Sequence, residues 1–354
     1  MIRHLAEALK SNVRRALDRS PRIVILAYHR VAAGGLDPNQ LCVSLEHFEK
    51  QMRLVRDETQ PIPLRELAVR LREGNLQQAG VVVTFDDGYA DNWMNAAPIL
   101  RELAIPATFF VTSGMVDTGR EFFADELIHL TLSAPILPEE LHVSVGGKVL
   151  RLAGKERPIP TTHRTWTGEG PNLIDPAPRE ELYHSLHSLL REENLESRES
   201  ILTELREQVA WPPSPSCESH RTLSSAQLRD LVRENLFEVG AHAVEHLVLR
   251  RLPSEEQAFQ IRESKTQLEL ILSMPVESFA YPYGSEWDVS PTTVDLVRQA
   301  GFGLACANVP GQVSRGSDPY WLPRYLVRDW GGAEFGRRLR SFFVPRPAAR
   351  PVSA

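Results

Sequence analysis

Two adjacent carboxylates, Asp86 and Asp87, directly follow the apolar run Val81-Val82-Val83-Thr84-Phe85 and precede Gly88. β-Branched and aromatic residues in such a run make a short buried strand. A buried strand that delivers paired acids to its C-terminal end is costly unless a positive charge waits there. A divalent metal is one such charge; a plain Asp-Gly turn is the alternative. The segment His242-Ala243-Val244-Glu245-His246 likewise follows an apolar stretch, Phe237–Ala241. On a helical turn, positions i and i+4 share a face, so both imidazoles could reach one cation. Two histidines and one carboxylate leave a coordination position open, the arrangement of a catalytic zinc. A third loop, Tyr281-Pro282-Tyr283-Gly284, follows Ser278-Phe279-Ala280. Proline fixes its backbone and glycine permits a tight turn, so it can aim the Tyr283 N–H at a ligand; an ordinary Pro/Gly turn is the bland reading.

The elements that must position these groups alternate. Ile23–Tyr28 reads as a strand ending at His29, and Ser44 caps a helix to residue 58 with Leu45, Phe48, Met52 and Val55 on one face. Leu64–Leu71 is a helix, Val81–Phe85 a strand, Asp91–Leu103 a helix and Pro106–Val111 a strand. After an interruption the pattern resumes. Ser224–Glu234, Ser254–Leu272 and Ser290–Ala300 read as helices, and Phe237–Ala241, Ser278–Tyr281, Gly303–Ala307 and Tyr325–Val327 as strands. Repeated βα units imply a parallel sheet, open or closed into a barrel. The polar residues collect after strands, where a barrel carries its active site. No Gly-x-Gly-x-x-Gly follows the first strand, which removes support for a dinucleotide fold.

Residues 117–222 break the alternation and read as an insertion on one loop. Leu141–Leu150 is a hairpin turning at Gly146-Gly147, residues 153–178 a Pro/Gly/Thr-rich loop, Glu180–Gln208 a polar helical stretch and Trp211–Ser216 a Pro-rich break. Residues 1–21 read as a basic amphipathic helix that packs on the domain or contacts an anionic membrane surface. Residues 345–354 read as a flexible tail. The chain has 354 residues, 42% of them hydrophobic and 24% charged, enough for a sizeable core. Its net charge of −6 argues against nucleic acid as a partner. Cys42, Cys217 and Cys306 are odd in number and far apart, which fits a reducing compartment. With no signal-peptide core and no transmembrane stretch, a cytoplasmic location, at the inner face of the membrane if the first helix binds there, is expected.

Thr84-Phe85-Asp86-Asp87-Gly88, His242-x-x-x-His246 and Tyr281-Pro282-Tyr283-Gly284 together resemble the three motifs of the polysaccharide deacetylase family with its NodB-like domain, over about residues 22–117 and 223–330. The resemblance implies a distorted (β/α) barrel of about seven strands and metal-dependent removal of acetyl groups from N-acetylated sugars. It assigns Asp86 as general base, Asp87, His242 and His246 as ligands of one divalent metal, and the Tyr283 N–H as oxyanion donor. Zinc is the expected ion, with cobalt, nickel or manganese as the other candidates. The sequence departs from the family in three places. Ala243 stands where Ser or Thr is usual, Ala280 where an Arg orients the base, and no Leu-x-His supplies a general acid. Arg324, in Leu322-Pro323-Arg324, is the expected replacement for the arginine, and His29, in Tyr28-His29-Arg30, the expected acid. An O-acetyl esterase or deformylase on the same scaffold, and a non-catalytic sugar-binding descendant, are the alternatives.

Overall fold

The computed structural model describes residues 22–134, 136–153, 178–209 and 220–344. The helix expected over 1–21, most of the loop at 153–178, the break at 211–216 and the tail at 345–354 lie outside the described residues. The strands are β1 (Ile23–Tyr28), β2 (Arg30–Val31), β3 (Cys42–Val43), β4 (Gly80–Phe85), β5 (Ala107–Val111), β6 (Glu140–Val145), β7 (Lys148–Ala153), β8 (Phe237–Ala241), β9 (Ser278–Ala280), β10 (Leu304–Cys306) and β11 (Tyr325–Leu326). Seven of them form one curled parallel sheet in the order β10-β9-β8-β5-β4-β1-β11. Residues 319–322, on the chain leading to β11 at one edge, bond to β10 at the other. Ala305 N–H donates to Pro319 O, Leu322 N–H to Ala305 O and Ala307 N–H to Leu322 O, at 2.8, 2.9 and 2.8 Å. The result is the distorted seven-stranded (β/α) barrel expected from the sequence.

The strands are buried on both faces because helices cover the outside and side chains fill the inside. Val24, Leu26 and Tyr28, with Val81, Val83 and Phe85, pack under the helices beside Phe48, Met52 and Leu100. Ile23, Ile25, Val82, Phe110, Ala280, Leu304 and Leu322 share the second core, inside the barrel. Gly240 makes room for this filling: a Cβ there would lie 2.5 Å from the Phe110 ring. The period of two carries the inner rows onward, from Val82 and Thr84 to Asp86 and from Ile25 and Ala27 to His29. In the β1–β4 register Tyr28 pairs with Phe85, so His29 and Asp86 leave the sheet as adjacent rungs.

Most helix limits follow the sequence reading, including Ser44 as N-cap of Leu45–Glu58 and the whole of Ser254–Leu272. The helix expected to Glu234 stops at Leu231. Two helices escape that reading, Phe123–Leu127 with its continuation Ile128–Ser133, and Gly332–Phe342. Between β5 and β8 the β6–β7 hairpin turns at Gly146 and Gly147, both at positive φ, and the helices Pro178–Arg191 and Leu195–Val209 follow. These elements have an apolar core of their own, built on Leu127, Leu141, Val143, Tyr183, Leu186, Ile201 and Leu205.

Candidate active site

Asp86 and Arg324 make a fork-to-fork pair inside the barrel. Arg324 Nη1 and Nη2 donate to Asp86 Oδ1 and Oδ2, each at 2.7 Å. The guanidinium also donates to Thr84 Oγ1 at 3.2 Å and, through Nε, to the Ala307 carbonyl at 3.0 Å. The Arg324 side chain is 0% exposed and that of Asp86 4%. Burial alone would push the Asp86 carboxyl up, but Arg324, His242 and His29 outweigh it and hold it below its ordinary value. Arg324 therefore occupies, from another strand end, the place the sequence assigned it beside Asp86.

Asp87, the next residue, turns the other way. Its φ is +73°, and Gly88 follows at +83°, packed so that a Cβ would lie 3.1 Å from Val111 Cγ1. Ala243 and Tyr283 also lie in the left-handed region, at +62° and +59°. Left-handed backbone costs about 1–2 kcal/mol per residue outside glycine. All three motif loops carry such a residue. At 242–246 the backbone is a bend and not the helical turn expected from the His-x-x-x-His spacing. Ala243 reverses the chain between the histidines, and that reversal brings the two rings to 5.1 Å.

The two imidazoles converge on Asp87. His242 Nε2 is 3.4 Å and His246 Nε2 3.3 Å from Asp87 Oδ1. His242 Nδ1 is 2.7 Å from the Ala280 carbonyl, which only accepts, so Nδ1 carries a proton and Nε2 is the nitrogen that faces Asp87. Burial drives His246 down to about 3, against the pull of Asp87, so its ring is neutral. Asp87 Oδ1 is buried and accepts no hydrogen bond among the described residues. Lone pairs of three neutral or anionic groups facing one point repel unless a cation lies among them. Ligands about 2.05 Å from a tetrahedral ion stand about 3.4 Å apart, which the two measured separations match. The donor set fits one divalent ion.

His29 lies beside this group. Its Nδ1 is buried without a hydrogen-bond partner among the described residues, and burial lowers its pKa while Asp87 and Asp86 raise it. The Tyr283 ring packs edge-on against His246 at 4.5 Å, with the Arg191 guanidinium over its face at 4.4 Å. Sequence reasoning missed the arginines that support these loops from the 178–209 helices. Arg191 pairs with Asp288, and the buried Arg198 donates from Nη1 to the His246 carbonyl at 3.2 Å. Neither residue belongs to a motif, and only tertiary contact reveals it.

The family model described as polysaccharide deacetylase matches residues 73–139 and 175–305, more than half of the chain. It takes in the helices Pro178–Arg191 and Leu195–Val209, which the sequence reading assigned to an insertion, and it leaves His29 and Arg324 outside. The putative polysaccharide deacetylase YxkH of Bacillus subtilis is 31% identical over 96 residues, 27% of this chain and 33% of that protein. The poly-β-1,6-N-acetyl-D-glucosamine N-deacetylase of Escherichia coli K12 is 29% identical over 110 residues, 30% of this chain and 16% of that protein. The matched stretch thus spans a third or less of these two relatives. Among solved structures, the Streptococcus pyogenes deacetylase PplD in complex with acetate superposes with a TM-score of 0.58 at 16% identity, covering 92% of this chain and all of that one. IcaB from Ammonifex degensii does so with a TM-score of 0.54 at 19% identity, covering 91% and 97%. These two likenesses establish the shared fold.

Proposed function

This chain belongs to the polysaccharide deacetylase family, and on that premise we propose that it hydrolyses the acetamido group of an N-acetylated amino sugar in a glycan, using one divalent ion. The observation that carries the reading is the convergence of Asp87, His242 and His246 next to a second, separately held carboxylate. A dead sugar-binding descendant has no need of Asp86 fixed by two bonds from a buried Arg324. The named relatives that act on poly-β-1,6-N-acetyl-D-glucosamine support an N-acetylglucosamine unit as the substrate class.

Asp87, through a carboxylate oxygen, and His242 and His246, through Nε2, hold the ion; nitrogen and oxygen donors in this number favour zinc. When bound, such an ion polarises a carbonyl and acidifies a water. Asp86 takes the proton of the attacking water on a carboxylate oxygen, each of which keeps a lone pair beyond its bond to Arg324. The Tyr283 N–H, presented by its left-handed backbone, donates to the negative oxygen that develops on the amide carbon. His29, on the neighbouring rung, receives the proton from Asp86 and passes it to the leaving nitrogen. A C–O bond forms and the C–N bond breaks, giving acetate and a free amino sugar.

The test is product analysis on a soluble N-acetylglucosamine oligosaccharide and on an O-acetylated analogue. Equal amounts of acetate and new primary amine from the first support the proposal. Acetate from the O-acetyl compound alone would replace it with an esterase, and formate release from an N-formyl sugar alone would replace it with a deformylase.

A further inference from the structure

Behind the loop that carries Asp86 and Asp87, a second set of ligand types converges. Glu121, His129 and His220 each offer one ligand atom, all within 4.8 Å of one another. Glu121 Oε2 is 3.2 Å from His129 Nε2, and His220 Nε2 is 3.7 Å from Asp125 Oδ1. The other oxygen of Asp125 accepts from Tyr89 Oη at 2.8 Å, which fixes the carboxylate and leaves Oδ1 toward His220. The two imidazoles stand nearly perpendicular, with centroids 5.5 Å apart. None of the four side chains is more than 14% exposed.

Three of these residues recur at i, i+4 and i+8 along one segment, and the fourth comes from far along the chain. Glu121 precedes the helix Phe123–Leu127, Asp125 lies on it, His129 lies on its continuation, and His220 is on the chain returning toward β8. The two measured separations bracket the spacing of about 3.4 Å between ligands of a tetrahedral zinc. The remaining separations among Glu121, His129 and His220 are at most 4.8 Å.

We propose that Glu121, Asp125, His129 and His220 bind a second divalent cation, zinc by their donor set, at a closed structural site apart from the Asp87 centre. Four protein ligands leave no open position, so this ion holds parts together and does not activate water. What it holds is evident from the neighbouring contacts. Ala90 N–H donates to Arg221 O and Leu223 N–H to Gly88 O, both at 2.8 Å, so the His220 segment already lies along the catalytic loop. Phe122, beside Glu121, packs on Tyr89 at 5.2 Å and on His246 at 5.9 Å. The ion ties the two ends of the segment between β5 and β8 to the back of the Asp86-Asp87 loop.

The proposal does not depend on the deacetylase reading, and metal counting tests it without an activity assay. The full chain, dialysed against zinc and then against metal-free buffer, should carry two zinc ions by plasma emission. His129→Gln/His220→Gln should carry one and melt at a lower temperature, and His246→Ala should also carry one. A wild-type chain that carries no more zinc than His129→Gln/His220→Gln would overturn the site. Should the double variant fail to fold, zinc-edge anomalous diffraction from wild-type crystals decides. A peak bonded to Nε2 of both His129 and His220 supports the proposal, and no peak there refutes it.

Discussion

Arg324→Met removes the guanidinium paired with Asp86 while nearly keeping the volume of the side chain. Arg324 is fully buried and Asp86 nearly so, and together they share two bonds of 2.7 Å. Breaking a buried pair by deleting one member costs about 3–5 kcal/mol, because the other charge is left uncompensated. The sign of the pH dependence follows from Asp86. In the intact protein its carboxyl is held below the unfolded value, so its contribution is present above about pH 4 and lost as pH falls through the folded pKa. In Arg324→Met the desolvated carboxyl titrates above the unfolded value, so stability is lost as pH rises. The gap between the two proteins therefore opens above about pH 4 and widens toward neutrality. Urea unfolding at several pH values between 4 and 8 reads it directly. Adding Asp86→Leu should restore part of the loss, since no buried charge then remains. A gap that stays under about 1 kcal/mol, the size of an exposed pair, at every pH, or a double variant no better than Arg324→Met, would refute the reasoning.

Three further outcomes follow from the same geometry. His246→Ala should lose the ion held with Asp87 and His242, seen as one ion fewer per chain; an unchanged metal content would discard the ligand assignment. His29→Ala should slow amide cleavage far more than cleavage of an activated aryl acetate, whose leaving group needs no proton; equal loss on both would remove the acid role. His187 is stacked between Phe123 and Tyr183, at 5.3 and 5.7 Å, and burial lowers it to about 4. Between about pH 6.5 and that value the unfolded chain binds a proton the folded chain refuses, so acid destabilises the protein. His187→Phe should flatten that part of the stability–pH curve, and an unchanged slope would count against it.

The strand ends were legible because a parallel barrel writes each strand as an unbroken apolar run that stops where polar residues begin. Asp86, Asp87, His242, His246 and Tyr283 all stand at such stops. The helical reading of His242–His246 failed because spacing alone does not reveal that Ala243 adopts left-handed backbone. Gly332–Phe342 was hidden by Gly331, Gly332 and Gly336, yet Phe335, Leu339 and Phe342 recur at helical spacing and are buried, so packing overrides weak propensity. Arg324 could be sought because an orienting arginine was missing from Ala280. Arg198 and His220 could not, since each meets its partners only through tertiary contact, although Glu121, Asp125 and His129 recur at i, i+4 and i+8.

The central claim is that Asp86, and not a ligand of the ion, moves the proton in amide hydrolysis. Steady-state acetate release from an N-acetylglucosamine oligosaccharide by metal-replete Asp86→Asn tests it most directly. Turnover should fall on the order of 10²-fold or more, with the metal content of the intact enzyme retained. Near-normal turnover by Asp86→Asn would contradict the account.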